Sequence, residues 1–148
     1  DTSKELRERS VVVARSLVTE FINDLNNRIL TPITQSEKYA TYYPNISGKE
    51  RMLDFEIQTS EQISRTIRAL HPFLPCYITH NDKFFIVNPY KFQILLETNN
   101  AKSGDIIAKN ADKKSLTIVC ADGKSIRFND LTLYKSPLMT KKYIEKVI

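Results

Sequence analysis

His80-Asn81-Asp82 places three side chains used in proton transfer in one run. Their spacing suits a hairpin turn better than a catalytic site, because Asn and Asp tolerate φ > 0. His71, Cys76 and His80 are metal-ligand types, but structural zinc normally takes four ligands in two close pairs. No fourth ligand stands nearby, and Pro72 and Pro75 account for the local geometry. Asp54 and Glu56, two apart on a strand-like face, have no neighbouring His and read as solvated surface. G-x-G-x-x-G, Walker and G-x-S-x-G patterns are absent. Three glycines in the whole chain leave little room for a phosphate cradle. No catalytic residue and no metal ligand is assigned.

The basic residues say more. Arg65 and Arg68 are three apart on a predicted short helix. Lys102, Lys109, Lys113, Lys114, Lys124 and Arg127 fall in or beside predicted turns between strands, and Lys83 joins them from the first hairpin. Such a rim can track a phosphate backbone by charge, with salt-dependent affinity. Tyr77, Phe84, Phe85, Tyr90 and Phe92 are interleaved with it, and a few could stack on bases. Equally, the aromatics would fill a core while the lysines solubilise its surface. The charge is uneven: residues 1–57 hold eight Lys and Arg against nine Asp and Glu, and residues 58–148 hold 14 against eight. The whole net charge of +5 therefore comes from the second part. That asymmetry raises the weight of a polyanionic partner and does no more.

The elements that must position these residues form three regions. A capping box at Thr2-Ser3-Lys4-Glu5 opens a helix whose apolar stripe runs through Leu6, Val13, Leu17, Phe21 and Leu25 and ends near Asn26-Asn27. One apolar face must pack on something, either the rest of this chain or a domain outside it. From about Ile29 to Thr59 there is no sustained periodicity, which suits an ordered linker better than a loop. Its cluster Tyr39, Tyr42 and Tyr43 would anchor it to a neighbouring surface. A second capping box, Thr59-Ser60-Glu61-Gln62, opens a short helix carrying Ile63, Ile67 and Leu70 that stops before Pro72.

The period then changes to that of strands. The expected spans are 77–80, 84–88, 92–98, 105–109, 116–120 and 125–128. Asn81-Asp82, Asn99-Asn100, Ser103-Gly104 and Asp122-Gly123 mark turns, and Pro89 marks a break. Ser136-Pro137 can start a final helix. The expected class is α+β: a helix and an ordered linker, then a small antiparallel barrel of the oligonucleotide-binding type.

At 41% hydrophobic and 26% charged, the composition excludes a disordered or collagen-like chain. No apolar run reaches the roughly 18 to 20 residues needed to span a bilayer. Cys76 and Cys120 read as free thiols of a cytoplasmic protein, so the sequon at Asn45 carries no meaning.

Residues 1–6, 40–44, 53–55, 67–75, 83–87 and 103–107 carry six motifs whose order resembles that of the C-terminal part of the methionyl-tRNA formyltransferase family. Asp1-Thr2-Ser3-Lys4-Glu5-Leu6 is similar to the entry into the last helix of the catalytic domain. Ala40-Thr41-Tyr42-Tyr43-Pro44 resembles the threonine–tyrosine linker motif. Leu53-Asp54-Phe55 stands where the family has an apolar residue, Asp and Trp. Residues 67–75 resemble a helix ending in Arg-Ala-x-x-Pro-Trp-Pro. Residues 83–87 resemble the strand after a Gly-Lys turn, and Ser103-Gly104-Asp105-Ile106-Ile107 the Pro-Gly-Thr-Ile strand. The match continues through Leu116 to Phe128, covering residues 2 to 134. Phe replaces Trp twice, Cys76 replaces a Gly, and Asn45 stands where Lys is common.

The resemblance implies a division into a trailing helix of a catalytic domain (1–28), an interdomain linker (29–58) and a C-terminal barrel domain (59–148). The family's catalytic residues and its 10-formyltetrahydrofolate site lie in an upstream Rossmann-like domain, so none is carried over and this segment takes no cofactor. Its implied partners are that catalytic domain and tRNA, with no membrane and an oligomeric state left open. Two rivals stay open. One is the structural or dimerisation part of a sugar-nucleotide N-formyltransferase. The other is a freestanding RNA-binding module.

Overall fold

The computed structural model describes residues 1–134; the predicted final helix lies outside the described residues. Its contacts divide the chain into two units, Asp1 with Ser3–Asn45, and Thr2 with Ile46–Ile148.

In the first unit, helix α1 spans Ser3–Asn26, beginning at the predicted box. It ends in a Schellman arrangement. Arg28 takes the left-handed conformation, its amide bonds Leu25 O, and the Ile29 amide bonds Asp24 O. No residue of α1 is buried. The stripe from Leu6 to Leu25 is exposed, with Phe21 54% exposed. Tyr42 and Tyr43, beyond a short turn of helix at Glu37–Tyr39, are exposed as well.

The second unit is built around α2, Ser60–Leu70. The predicted capping box is formed. Thr59 Oγ1 accepts from the Gln62 amide at 3.2 Å, and Gln62 Oε1 accepts from the Thr59 amide at 2.8 Å. His71, held extended before Pro72, ends the helix. The face carrying Ile63, Ile67 and Leu70 is buried in the core.

Seven strands follow: β1 Tyr77–His80, β2 Lys83–Ile86, β3 Phe92–Leu95, β4 Ile106–Asn110, β5 Ser115–Val119, β6 Ser125–Phe128 and β7 Thr132–Leu133. All pair antiparallel in two sheets, ordered β1-β2-β7 and β3-β6-β5-β4. Neither sheet closes on itself, which differs from the single barrel expected. The break is local. β2 ends at Ile86, and Asn88 to Lys91 turn on the Asn88 side chain and carbonyl around Pro89, which has no amide to donate. β3 thus leaves the first sheet and pairs with β6. Third-strand pairing stops at Leu95 instead of Thr98, and the two-residue β7 has no counterpart in the sequence reading.

The core gathers Ile118, Ile126 and Phe128 from the second sheet, Ile78 from the first, Val87 just after β2, and the α2 face. Leu53 and Phe55, from the aperiodic segment, are core residues too. Phe55 meets Phe128 edge-on with ring centroids 5.8 Å apart. Asp54 and Glu56 do not share a strand face as expected. Asp54 Oδ1 accepts from the Glu56 amide in a tight turn, closed by the Gln58 amide on Asp54 O.

One side chain ties α2 to the second sheet. Asp122, in the β5–β6 turn, accepts from the Ser60 amide at 3.2 Å and the Ser60 hydroxyl at 2.7 Å. The Ala121 amide bonds Gln58 O beside it. The Cys120 amide bonds Lys124 O, which narrows the loop to 121–123, and Gly123 takes the left-handed position it needs, with φ +74. Partial burial pushes the Asp122 carboxyl up, but the two bonds from Ser60, with a backbone bond at Asp122 itself and the Lys124 charge, together outweigh it, and its pKa falls below the ordinary value. An acid with a lowered folded pKa stabilises above its unfolded pKa and loses that contribution as pH falls through the folded value. Asp122→Ala is expected to cost about 1–2 kcal/mol in urea denaturation at neutral pH. The cost should shrink as pH falls below about 4. An equal cost at pH 7 and pH 3 would refute the charged clamp.

Candidate nucleic-acid interface

Three turns at one end of the second unit bring separated residues together. The β1–β2 hairpin turns on Asn81 and Asp82, both with positive φ (49° and 57°), as a two-residue type I′ turn requires. The run His80-Asn81-Asp82 is therefore a turn, as its spacing predicted. The β4–β5 connection, 111–114, closes with the Lys114 amide on Ala111 O and the Lys113 amide on Asn110 Oδ1. The chain before β7 docks on it through the Leu131 amide to Lys114 O at 3.0 Å.

Between these pieces lies an open cleft of about 650 Å³, within the size range of ligand pockets. Buried Leu116 and Leu131 are among its lining residues, with part-buried Phe85 and the more exposed Leu133. Phe85 also packs on the core. Lys109, Lys114 and His80 line the cleft as well, and Lys109 Nζ sits 3.3 Å from His80 Nε2. An ammonium has no acceptor, so the ring nitrogen accepts from it in this state. No Asp or Glu lines the cleft among the described residues.

The other predicted basic residues do not line the cleft. Lys83 pairs across the hairpin with His80, and Lys113 lies in the 111–114 turn. Lys102 and Lys124 sit near the far end of β5, where the Asn99 amide bonds Gly123 O. Arg127 is exposed on β6, opposite Gln93 and Thr117. Arg65 pairs with Glu61 at 3.1 Å on α2, and Arg68 Nε bonds Ser64 O at 3.4 Å. Most of the interleaved aromatics serve packing. Tyr77 is buried, and Phe92 lies against Phe128 at 6.1 Å. The sequence reading missed the apolar cleft and the role of His80 beside Lys109. Their separation of 29 positions leaves no local signal.

The remaining candidates have structural explanations. His71 stands edge-on to Tyr90 at 5.3 Å, and Cys76 is buried in the core. Among the described residues no cluster of three or more His, Cys, Asp and Glu could hold a metal ion, and no helix is long and apolar enough to cross a membrane.

Residues 45–146 match the family model described as "Formyl transferase, C-terminal domain". The chain belongs to this family of formyltransferase C-terminal domains. It is 30% identical over 127 residues to the methionyl-tRNA formyltransferase of Enterococcus faecalis, covering 84% of this chain and 38% of that enzyme. The methionyl-tRNA formyltransferase of Lactiplantibacillus plantarum is 27% identical over 143 residues, 95% of this chain and 43% of the relative. That of Ectopseudomonas mendocina is 29% identical over 133 residues, 90% and 40% respectively. The chain thus spans about two fifths of the length of these curated relatives.

Both cysteines are free, and burial raises their thiols. Cys76 is pushed up to about 11, against a small opposing effect of Arg51; Cys120 reaches about 12, with the Asp122 charge adding to burial. The thiolate is the reactive species, so at pH 8 Cys76 should react with a thiol reagent about a hundredfold, and Cys120 about a thousandfold, slower than free cysteine. Full reactivity is expected only in denaturant. Fast labelling of the native chain would contradict this burial.

Proposed function

We propose that the chain is the C-terminal portion of an enzyme that transfers a formyl group from 10-formyltetrahydrofolate to the amine of methionyl-tRNA. In this reading the segment helps hold the tRNA and does not catalyse alone. The carrying observation is the family match over residues 45–146, joined to relatives named methionyl-tRNA formyltransferase. Two features support it. The excess positive charge falls in residues 58–148, where phosphate contacts would need it. The apolar stripe of α1 is exposed, which suits a trailing helix that packs on a catalytic domain.

The work divides accordingly. α1 would dock on the catalytic domain, and Tyr42, Tyr43 and Pro44 would anchor the linker to a neighbouring surface. Lysines of the second unit would position the nucleic acid through its phosphates, which fix register without reading sequence. The cytoplasm, where aminoacylated tRNA is used, is the proposed location.

Binding of methionyl-tRNA to this chain, measured against salt, tests the reading. Affinity should be present at about 50 mM salt and fall at least about tenfold by about 200 mM. Charge reversal at Lys109 and Lys114 should weaken it across tRNA sequences. Absence of binding at low salt, or indifference to salt, would remove the tRNA role. It would favour a structural or dimerisation part of a sugar-nucleotide N-formyltransferase.

A further inference from the structure

We infer that the cleft beside Lys109 and His80 receives one unpaired nucleotide of an RNA, its base on the apolar wall and its phosphate on the Lys109–His80 pair. The inference rests on the RNA-binding reading and deepens it, because it assigns a site and a form of RNA that charge alone does not select.

The cleft combines two chemistries. Its interior is apolar, with Leu116 and Leu131 buried and the part-buried Phe85 packed against the core. Its basic side brings two nitrogen groups within 3.3 Å, with Lys114 beside them and no carboxylate among the described lining residues. Two donors this close suit one shared oxyanion. Nε2 of His80 accepts from Lys109 in the free chain. In the tautomer with hydrogen on Nε2, the ring donates instead, and a phosphate oxygen can then take a bond from each residue.

Charge complementarity selects the occupant. A purely apolar ligand would leave the two nitrogens without an anion. A bare phosphate would leave the leucines uncovered. An unpaired nucleotide satisfies both, since every base offers a flat π face to an aromatic ring and carries its phosphate a few ångströms away. A base inside a duplex is stacked and cannot enter.

The test uses the full chain, with methyl signals of Leu116, Leu131 and Leu133 and the ring signals of His80 followed by NMR. Four probes are compared: a single-stranded RNA hexamer, the same strand in a blunt duplex, inorganic phosphate, and adenosine. The hexamer should move the leucine methyls and the His80 ring together, phosphate only the ring, and the duplex no leucine methyl. Leu133→Glu, at a position 38% exposed, should weaken hexamer binding at least tenfold. Lys109→Gln should weaken it less and lower the salt slope by about 0.7, the loss of one phosphate contact on a single strand. Unmoved leucine methyls, equal shifts from hexamer and duplex, or Leu133→Glu binding like the parent chain would overturn the inference. So would methyl shifts of the same size from adenosine, which lacks phosphate. Methionyl-tRNA is titrated in parallel. Salt-dependent tRNA binding with an unmoved cleft sinks the site alone, whereas loss of tRNA binding sinks the broader reading.

Discussion

The second unit depends on burying one face of an eleven-residue helix. Ile63, Ile67 and Leu70 of α2 have no partner within so short a helix, and a helix of that length is marginal in water without packing. Buried among residues of both sheets, each contributes about 1.5–3 kcal/mol. The two sheets share no strand ladder, so the core around this helix is what holds them as one body. The Thr59–Gln62 box and the Asp122 clamp then fix where the helix begins. Packing supplies most of the stability, and the polar contacts at one end supply the placement.

That arrangement has a consequence for the basic residues. With the helix over the core, the turn carrying Lys114 and the turn carrying Lys124 project from opposite ends of β5. Five extended residues separate those ends by about 17 Å. A phosphate chain could follow such a spacing, but only the Lys114 end joins its charge to an apolar hollow. The hollow exists because the first sheet and the edge strand β4 do not pair.

Local rules carried much of this architecture into the sequence. Thr59 and Gln62 announced the helix start, and Asn81-Asp82 announced a turn that demands positive φ twice. β1 and β6 follow the predicted spans residue for residue. What stayed hidden depends on distant partners. β7 is two residues long and exists only because Phe85 and Ile86 pair with it. Phe55 lies in an aperiodic segment, so only the tertiary contact with Phe128 reveals its burial. The cleft joins residues from five separate stretches of chain. The pattern of basic residues suggested a polyanion, yet gave no means of separating Lys109 from Lys102.

The short stretch ahead of α2 is stitched to the sheets at three points. Leu53 N–H bonds Tyr77 O, Ala121 N–H bonds Gln58 O, and Phe55 fills space against Phe128. A chain trimmed to begin at Thr59 would keep every strand and the whole helix, yet would open its core to water beside Phe128. The packed body of the second unit therefore includes residues from Leu53 onward. The last residues of what looks like a tether belong, energetically, to the body it leads into.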